Sequence, residues 1–305
     1  MTETTGKDQA AAIQDAPGNW VDRRAPAWAR PYLRLARLDR PIGTWLLLWP
    51  CWWSIALAGF DAGLMLLFAL GAIVMRGAGC TFNDIIDREL DTRVARTANR
   101  PLPSGAVSLS AAWLFLIAQG GVGLLILLSL NPFAIAVGAA SLLPVALYPF
   151  MKRITWWPQL FLGIAFNWGA LLGWAAATGE LAPPAIFLYL GGIFWTLGYD
   201  TIYALQDRED DARIGIKSSA LKLGDRSRAA IAAFYGAAMA LFALAGWAGG
   251  LGAGFWPLAG LAAAHLLWQV AMLEIDNPAN CLRLFRANRE FGAILFMAIL
   301  AGLAT

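Results

Sequence analysis

The sequence predicts an all-α, polytopic membrane protein, and three observations carry that expectation. Of 305 residues, 59% are hydrophobic and only 14% charged, against roughly 25% charged in soluble domains. The apolar residues form continuous runs without sustained alternation, which favours helices over a barrel. Lys and Arg gather in alternate connections only, the bias that orients helices in a bilayer.

The elements follow in order. Residues 1–30 mix Glu3, Asp8, Asp15 and Asp22 with few apolar residues. They match neither a cleavable signal peptide nor an Arg-rich transit peptide, and are expected to form a flexible cytoplasmic tail. Residues 31–305 are expected to be one transmembrane domain. Arg30 to Arg40 suit a short interfacial helix. Nine apolar segments follow, at 42–60, 62–82, 109–129, 131–150, 158–177, 183–203, 229–247, 251–272 and 290–304. A span needs about 20 residues, so the last is the weakest.

Basic residues precede span one (Arg23 to Arg40) and follow spans two, four, six and eight; the opposite connections near Asp61, Asn131, Glu180 and Gly250 carry none. This predicts a cytoplasmic N-terminus and a C-terminus on the other side. Cys51, Cys80 and Cys281 have neither metal-site nor disulfide spacing. His265 reads as a buried structural histidine, and Trp45, Trp49, Trp52 and Trp53 as interface or packing residues. No nucleic-acid partner is expected; the lipid bilayer is.

Spans two and six end in acidic motifs, Asn83-Asp84-x-x-Asp87-x-x-x-Asp91 and Asp200-x-x-Tyr203-Ala204-x-x-Asp207-x-x-x-Asp211. Offsets of three, four and seven return to one helix face. Stacked carboxylates stay ionised together most easily when a cation neutralises them. A hard ion such as Mg²⁺ prefers oxygen ligands and commonly joins carboxylate to phosphate. Two facing carboxylate walls, Mg²⁺ between them and a phosphorylated substrate are therefore expected. The motifs open the longest polar stretches after the tail, 83–108 and 204–228, so the chain reads as two similar halves with an added last span and a site where the halves meet.

Arg88, Arg93, Arg96, Arg208, Arg213, Lys152, Arg153 and Lys217 gather on the acidic side. Headgroup attraction accounts for any one of them, but Lys152, Arg153 and Lys217 are read as diphosphate ligands. Asn167, Tyr148, Tyr203 and Thr196 lie deeper. For Asn167 two readings are open: a tie between helices, or the lining of a substrate cavity. A transporter with intramembrane acids is the rival class, but transporter sites favour the midplane and these motifs sit at span ends.

At these residues the chain resembles the UbiA superfamily of intramembrane prenyltransferases, specifically its bacterial branch acting on 4-hydroxybenzoate. The resemblance is carried by Arg37-Leu-Asp-Arg-Pro-Ile-Gly43, Met75-Arg-Gly-Ala-Gly-Cys-Thr-Phe-Asn-Asp84, Arg100-Pro-Leu-Pro-Ser-Gly105, Tyr148-Pro-Phe-Met-Lys-Arg153, Tyr199-Asp-Thr-Ile-Tyr-Ala-Leu-Gln-Asp-Arg-Glu-Asp-Asp211 and Gly215-Ile-Lys-Ser218. It implies nine transmembrane helices around a central cavity open to lipid, with Mg²⁺ held by Asn83, Asp87 and Asp91 and by Asp207 and Asp211.

The activity it implies is transfer of a polyprenyl group from polyprenyl diphosphate to the ring carbon ortho to the hydroxyl of 4-hydroxybenzoate, a step of ubiquinone biosynthesis in a bacterial inner membrane. The six aspartates Asp84, Asp87, Asp91, Asp200, Asp207 and Asp211 are the expected catalytic set. Arg37 and Arg76 are candidates for the acceptor carboxylate, and Asp84 and Asp200 both remain open as the group that polarises the phenol or takes the proton.

Overall fold

The computed structural model describes residues 19–92 and 97–305. Arg93, Arg96 and most of the expected tail lie outside the described residues. Among the described residues every regular element is helical, as the continuous apolar runs predict.

Two compact units are distinguished among the described residues, 19–43 with 73–92 and 97–125, and 44–72 with 126–305. In the first unit lie α1 (Trp20–Arg24) and α2 (Arg30–Leu35). The segment 19–30, assigned above to a flexible tail, is folded. Asn19 caps α1, Val21 is fully buried, and the Trp20 indole donates to the Leu38 carbonyl at 2.8 Å. The interfacial helix expected over 30–40 stops at Leu35. Its end is closed by bonds from the Ala36 amide to Tyr32 O and from the Leu38 amide to Leu33 O, and Arg37 takes the left-handed position with φ 57°. Glycine usually occupies that position in this type of helix end.

α3 (Ile42–Gly59), α4 (Ala62–Asp91) and α5 (Leu109–Leu128) are single long helices. The remaining elements are α6 (Pro132–Ala140), α7 (Leu142–Ile154), α8 (Pro158–Phe166), α9 (Trp168–Thr178), α10 (Pro183–Leu205), α11 (Arg208–Ile214), α12 (Ser219–Leu223), α13 (Ser227–Ala248), α14 (Phe255–Ala271), α15 (Pro278–Arg286) and α16 (Asn288–Leu303). Spans four and five, expected as single helices, are each interrupted. At Ser141 the helix is broken just ahead of Pro144, which lacks the N–H that would reach the Ala140 carbonyl. At Asn167 the side-chain amide donates to the Gly163 carbonyl at 2.9 Å, a local bond that competes with the helix ladder.

Seven helices or helix pairs among the described residues are long and apolar enough to cross a membrane. The expected eighth and ninth spans correspond to α14, of 17 residues, and α16, of 16 residues. Leu114, Ile117 and Leu125 of α5 are exposed, as a lipid-facing helix requires.

The second unit is organised on α10, which packs against α8, α9, α12, α13 and α15. Gly198 permits the close approach of α13: a Cβ there would lie 2.6 Å from Cδ1 of Tyr235. Trp53 is fully buried among Trp195, Phe242 and Phe291, with its indole N–H on the Gly292 carbonyl at 3.0 Å. The packing reading of that tryptophan therefore holds. α16 is tied in by polar contacts. Asn288 donates to Gln269 at 3.0 Å and accepts from the Trp195 indole at 2.7 Å. Gln269 also accepts from Tyr235 at 2.9 Å and contacts His265 at 3.3 Å, so His265 belongs to an interhelical network.

Candidate active site

The first acidic motif ends an unbroken helix of 30 residues. Asn83, Asp84, Asp87 and Asp91 therefore keep helical spacing throughout. Asp84 and Asp87 are each 1% exposed and Asp91 7%. Bare carboxylates are not tolerated at such burial, and the structure supplies partners. Arg37 Nη2 donates to both Asp84 oxygens, at 2.7 and 2.8 Å, and Arg37 Nη1 donates to Arg34 O at 2.8 Å. Arg100 Nη1 reaches Asp91 Oδ2 at 2.7 Å and Asp84 Oδ1 at 3.3 Å. The Asn83 amide donates to Asp87 Oδ2 at 2.9 Å.

A non-glycine residue in the left-handed region costs about 1–2 kcal/mol. At Arg37 the two-oxygen grip on Asp84 offsets that cost. Burial opposes the Arg37 charge, but the Asp84 carboxylate holds the guanidinium pKa above its ordinary value. Arg37, expected as a receptor for the acceptor carboxylate, is thus already engaged with Asp84. Arg76, the other candidate, lies over Gly43: a Cβ at Gly43 would sit 2.8 Å from Cζ of Arg76. The glycine of Pro-Ile-Gly43 makes room for that guanidinium.

The second motif departs from its expected form. Asp200 and Tyr203 are on α10, but that helix ends at Leu205. Gln206 and Asp207 form a turn whose amides reach back three residues, to Tyr203 O and Ala204 O, both at 3.3 Å. Asp207 precedes α11, which carries Asp211. The single helical face expected for Asp200, Tyr203, Asp207 and Asp211 is therefore corrected to two short faces joined by a turn. Gly215, left-handed at φ 76°, ends α11. All four side chains are half-buried, and the Tyr203 ring lies tilted against Phe285, centroids 4.6 Å apart.

The basic residues of the second unit converge through the backbone. The Lys217 amide donates to Lys152 O at 2.9 Å, and its ammonium to Ile154 O at 3.0 Å. Lys152 and Arg153 lie in the last turn of α7, so three cations share one helix end. Tyr148, a turn earlier on α7, is half-buried. Asn167 bonds Thr196 at 2.8 Å, which realises the interhelical-tie reading of that residue.

Among the described residues, no three His, Cys, Asp or Glu side chains converge as a chelating cluster. Mg²⁺ does not require one, since it is commonly bound through one or two carboxylates together with substrate phosphates and water. The oxygen donors of half-buried Asn83 and of buried Asp87 and Asp91 fit such an ion.

Comparison with known proteins fixes the class. Residues 47–300 match the UbiA prenyltransferase family, and the chain belongs to that family. Among curated relatives, the mitochondrial 4-hydroxybenzoate polyprenyltransferase of Arabidopsis thaliana is 46% identical over 302 residues, 97% of this chain and 74% of the relative. Its Homo sapiens counterpart is 47% identical over 299 residues, covering 96% and 78%. A solved apo UbiA homologue from Aeropyrum pernix K1 superposes with a TM-score of 0.72 at 28% identity, covering 86% of this chain and 96% of that one. A homologue from Archaeoglobus fulgidus bound to GPP and Mg²⁺ shares the fold, with a TM-score of 0.69 at 19% identity over 90% and 98%. The bacterial inner membrane expected above is corrected: these curated relatives are mitochondrial enzymes.

Proposed function

We propose that this chain transfers a polyprenyl group from polyprenyl diphosphate to the carbon ortho to the hydroxyl of 4-hydroxybenzoate, releasing diphosphate, as a step toward ubiquinone. The observation that carries the reading is identity of 46–47% across 96–97% of the chain to enzymes of that name. The oxygen-rich face formed by Asn83 with buried Asp87 and Asp91 supports it.

In this reading Asn83, Asp87 and Asp91 would hold Mg²⁺, and Asp207 and Asp211 would supply oxygen ligands of the same kind. When bound, that ion neutralises charge on the diphosphate. Lys152, Arg153 and Lys217 grip the diphosphate oxygens, and Arg153 offers the planar fork suited to two at once. The allylic C–O bond breaks with its electron pair leaving on the diphosphate. The ring carbon supplies the pair for the new C–C bond and then loses its proton. Tyr148 and Tyr203 border the acceptor, and Arg76 takes its carboxylate. Asp200 is the acid left to polarise the phenol. The apolar helices exclude water from the allylic cation. In the same reading α14 and α16 complete nine spans in two halves; at 1.5 Å per residue they reach about 24–26 Å, short of the roughly 30 Å hydrocarbon core by an amount that modest bilayer thinning covers.

Membranes containing the chain, given 4-hydroxybenzoate and prenyl diphosphates of several lengths with and without Mg²⁺, are expected to form the 3-prenyl acid only with the metal. Product from another aromatic acceptor, and none from 4-hydroxybenzoate, overturns the assignment.

A further inference from the structure

Arg37, Asp84, Arg100 and Asp91 form a chain of alternating charge within the first unit. Arg100 is the member to which no role has been given. It lies nine residues beyond Asp91, and its guanidinium holds one oxygen of that carboxylate, Oδ2, at 2.7 Å. Its backbone is fixed on both sides. The Arg100 amide bonds Thr97 O at 2.9 Å, and the Ser104 amide bonds Arg100 O at 3.0 Å. Thr97 in turn donates its hydroxyl to the Asp91 carbonyl at 2.8 Å. Just beyond, Leu102 and Val107 are buried with Leu35 and Ala112. Asp84 serves this arrangement as a hub: Arg37 bonds both its oxygens, and Arg100 shares one of them.

We propose that Arg100 is a positioning residue for metal binding: it fixes the Asp91 carboxylate through Oδ2 so that Oδ1 is presented to the cation, with Asp84 anchoring Arg100. The inference rests on the reading of Asp91 as a metal ligand. Its physical basis is that a ligating carboxylate is oriented by hydrogen bonds to its other oxygen, and losing such a partner typically lowers metal affinity about 10–100-fold. A carboxylate held by one partner loses less freedom when the ion arrives than one free to rotate. Asp84, with both oxygens accepting from arginine, is assigned to support and not to proton transfer.

The test measures Mn²⁺, as a surrogate for Mg²⁺, by electron paramagnetic resonance titration of the full chain in detergent. Wild type is compared with Arg100→Gln, Arg100→Lys, Asp84→Asn and the Arg100→Gln/Asp84→Asn pair. Each neutralising variant is expected to weaken Mn²⁺ binding about 10–100-fold. The pair is expected to be no weaker than the worse single variant, because both act through one chain of contacts. Arg100→Lys is expected to recover part of the affinity, since an ammonium still reaches Asp91. Amide exchange at residues 97–104 in the metal-free protein is expected to rise in Arg100→Gln. If Arg100→Gln does not fold, Asp84→Asn and Arg100→Lys carry the test. Mn²⁺ binding by wild type with unchanged affinity in Arg100→Gln and Asp84→Asn overturns the inference alone. An Asp84→Asn protein with wild-type Mn²⁺ affinity and a collapsed kcat also overturns it, by making Asp84 the proton acceptor. Failure of wild type to bind Mn²⁺ overturns the metal reading and this inference with it.

Discussion

The two acidic motifs have closely similar spacing but different architecture. Asn83 to Asp91 stand on the end of one continuous helix, with arginines from α2's exit and from residue 100 drawn onto them. Asp200 to Asp211 cross a helix end, a three-residue-bonded turn and a new short helix. One motif is a rigid rail whose carboxylates are fixed relative to each other by the ladder of backbone bonds. The other is jointed: Asp207 and Asp211 do not continue the backbone ladder of α10 that carries Asp200. A rail and a jointed arm suit different tasks. In the proposed reaction the rail would set ligand geometry, and the arm would offer its carboxylates from a helix end, a turn and a second short helix.

The largest effect tests whether both motifs serve one reaction. Chelation by EDTA is expected to abolish turnover and Mg²⁺ to restore it. Asp87→Ala and Asp207→Ala are each expected to lower kcat by about 100-fold or more, the scale of losing a group that stabilises transition-state charge, while the helical circular dichroism of the detergent-solubilised protein is kept. Near-normal turnover in only one of the two variants would confine the chemistry to the other motif.

The next effect probes the joint directly. One alanine inserted after Asp87 rotates Asp91 by about 100° around α4, and is expected to reduce turnover about as severely as Asp87→Ala. One alanine inserted between Gln206 and Asp207 falls in the turn, where a loop absorbs extra length at small cost. Turnover there is expected to fall by no more than about tenfold, since the Asp207–Asp211 spacing is untouched. Equal losses at the two insertions would show that the second motif is as rigid as the first, against the interruption at Leu205.

How far the sequence disclosed all this differs between the same two regions. The rail was legible because the helical period runs through it without a breaker. The joint was misread because the spacing of three, four and four residues persists although the backbone leaves the helix at Gln206. Periodicity alone cannot register that interruption. Gly215, by contrast, is a stop signal visible in the sequence. The helix breaks at Ser141 and Asn167 had signals too, in Pro144 and in a polar residue at mid-span, but both segments remained apolar enough to read as single spans. The Arg37–Asp84 pair joins residues 47 apart in the chain, beyond any local pattern. The available hint was general: buried acids near a membrane are paired with bases, and Arg100 stood beside the motif without an assigned partner.

A third prediction uses Gly43, whose only evident purpose is the space it leaves. Gly43→Ala places a methyl 2.8 Å from Cζ of Arg76, so the guanidinium must move. If Arg76 receives the acceptor carboxylate, KM for 4-hydroxybenzoate is expected to rise about tenfold, roughly 1.4 kcal/mol, with KM for the prenyl diphosphate unchanged. A rise in the donor's KM instead would attach Arg76 to the diphosphate. It would make the first unit, which holds the rail, a donor site throughout.

The smallest effect concerns Lys217, three residues past the end of α11. Its amide and its ammonium both bond carbonyls at the end of α7, which ties the connection after α11 to the helix carrying Lys152 and Arg153. Lys217→Met removes one exposed hydrogen bond. That bond is worth about 0.5–1.5 kcal/mol when buried and less here, so the thermal midpoint is expected to fall by only a degree or two. It also removes one of three cations from a shared helix end. A phosphate held by three charges loses part of its attraction when one is removed, so the donor's KM is expected to rise about threefold, within the range for a partly exposed ion pair. Arg153→Met is expected to raise it more, because the guanidinium grips two oxygens where the ammonium offers a point charge. A Lys217→Met protein with a lower midpoint and an unchanged donor KM would make Lys217 a fastener of α7 alone. The arm would then hold the diphosphate through Asp207 and Asp211 by way of the metal, with Lys152 and Arg153 as the remaining direct contacts.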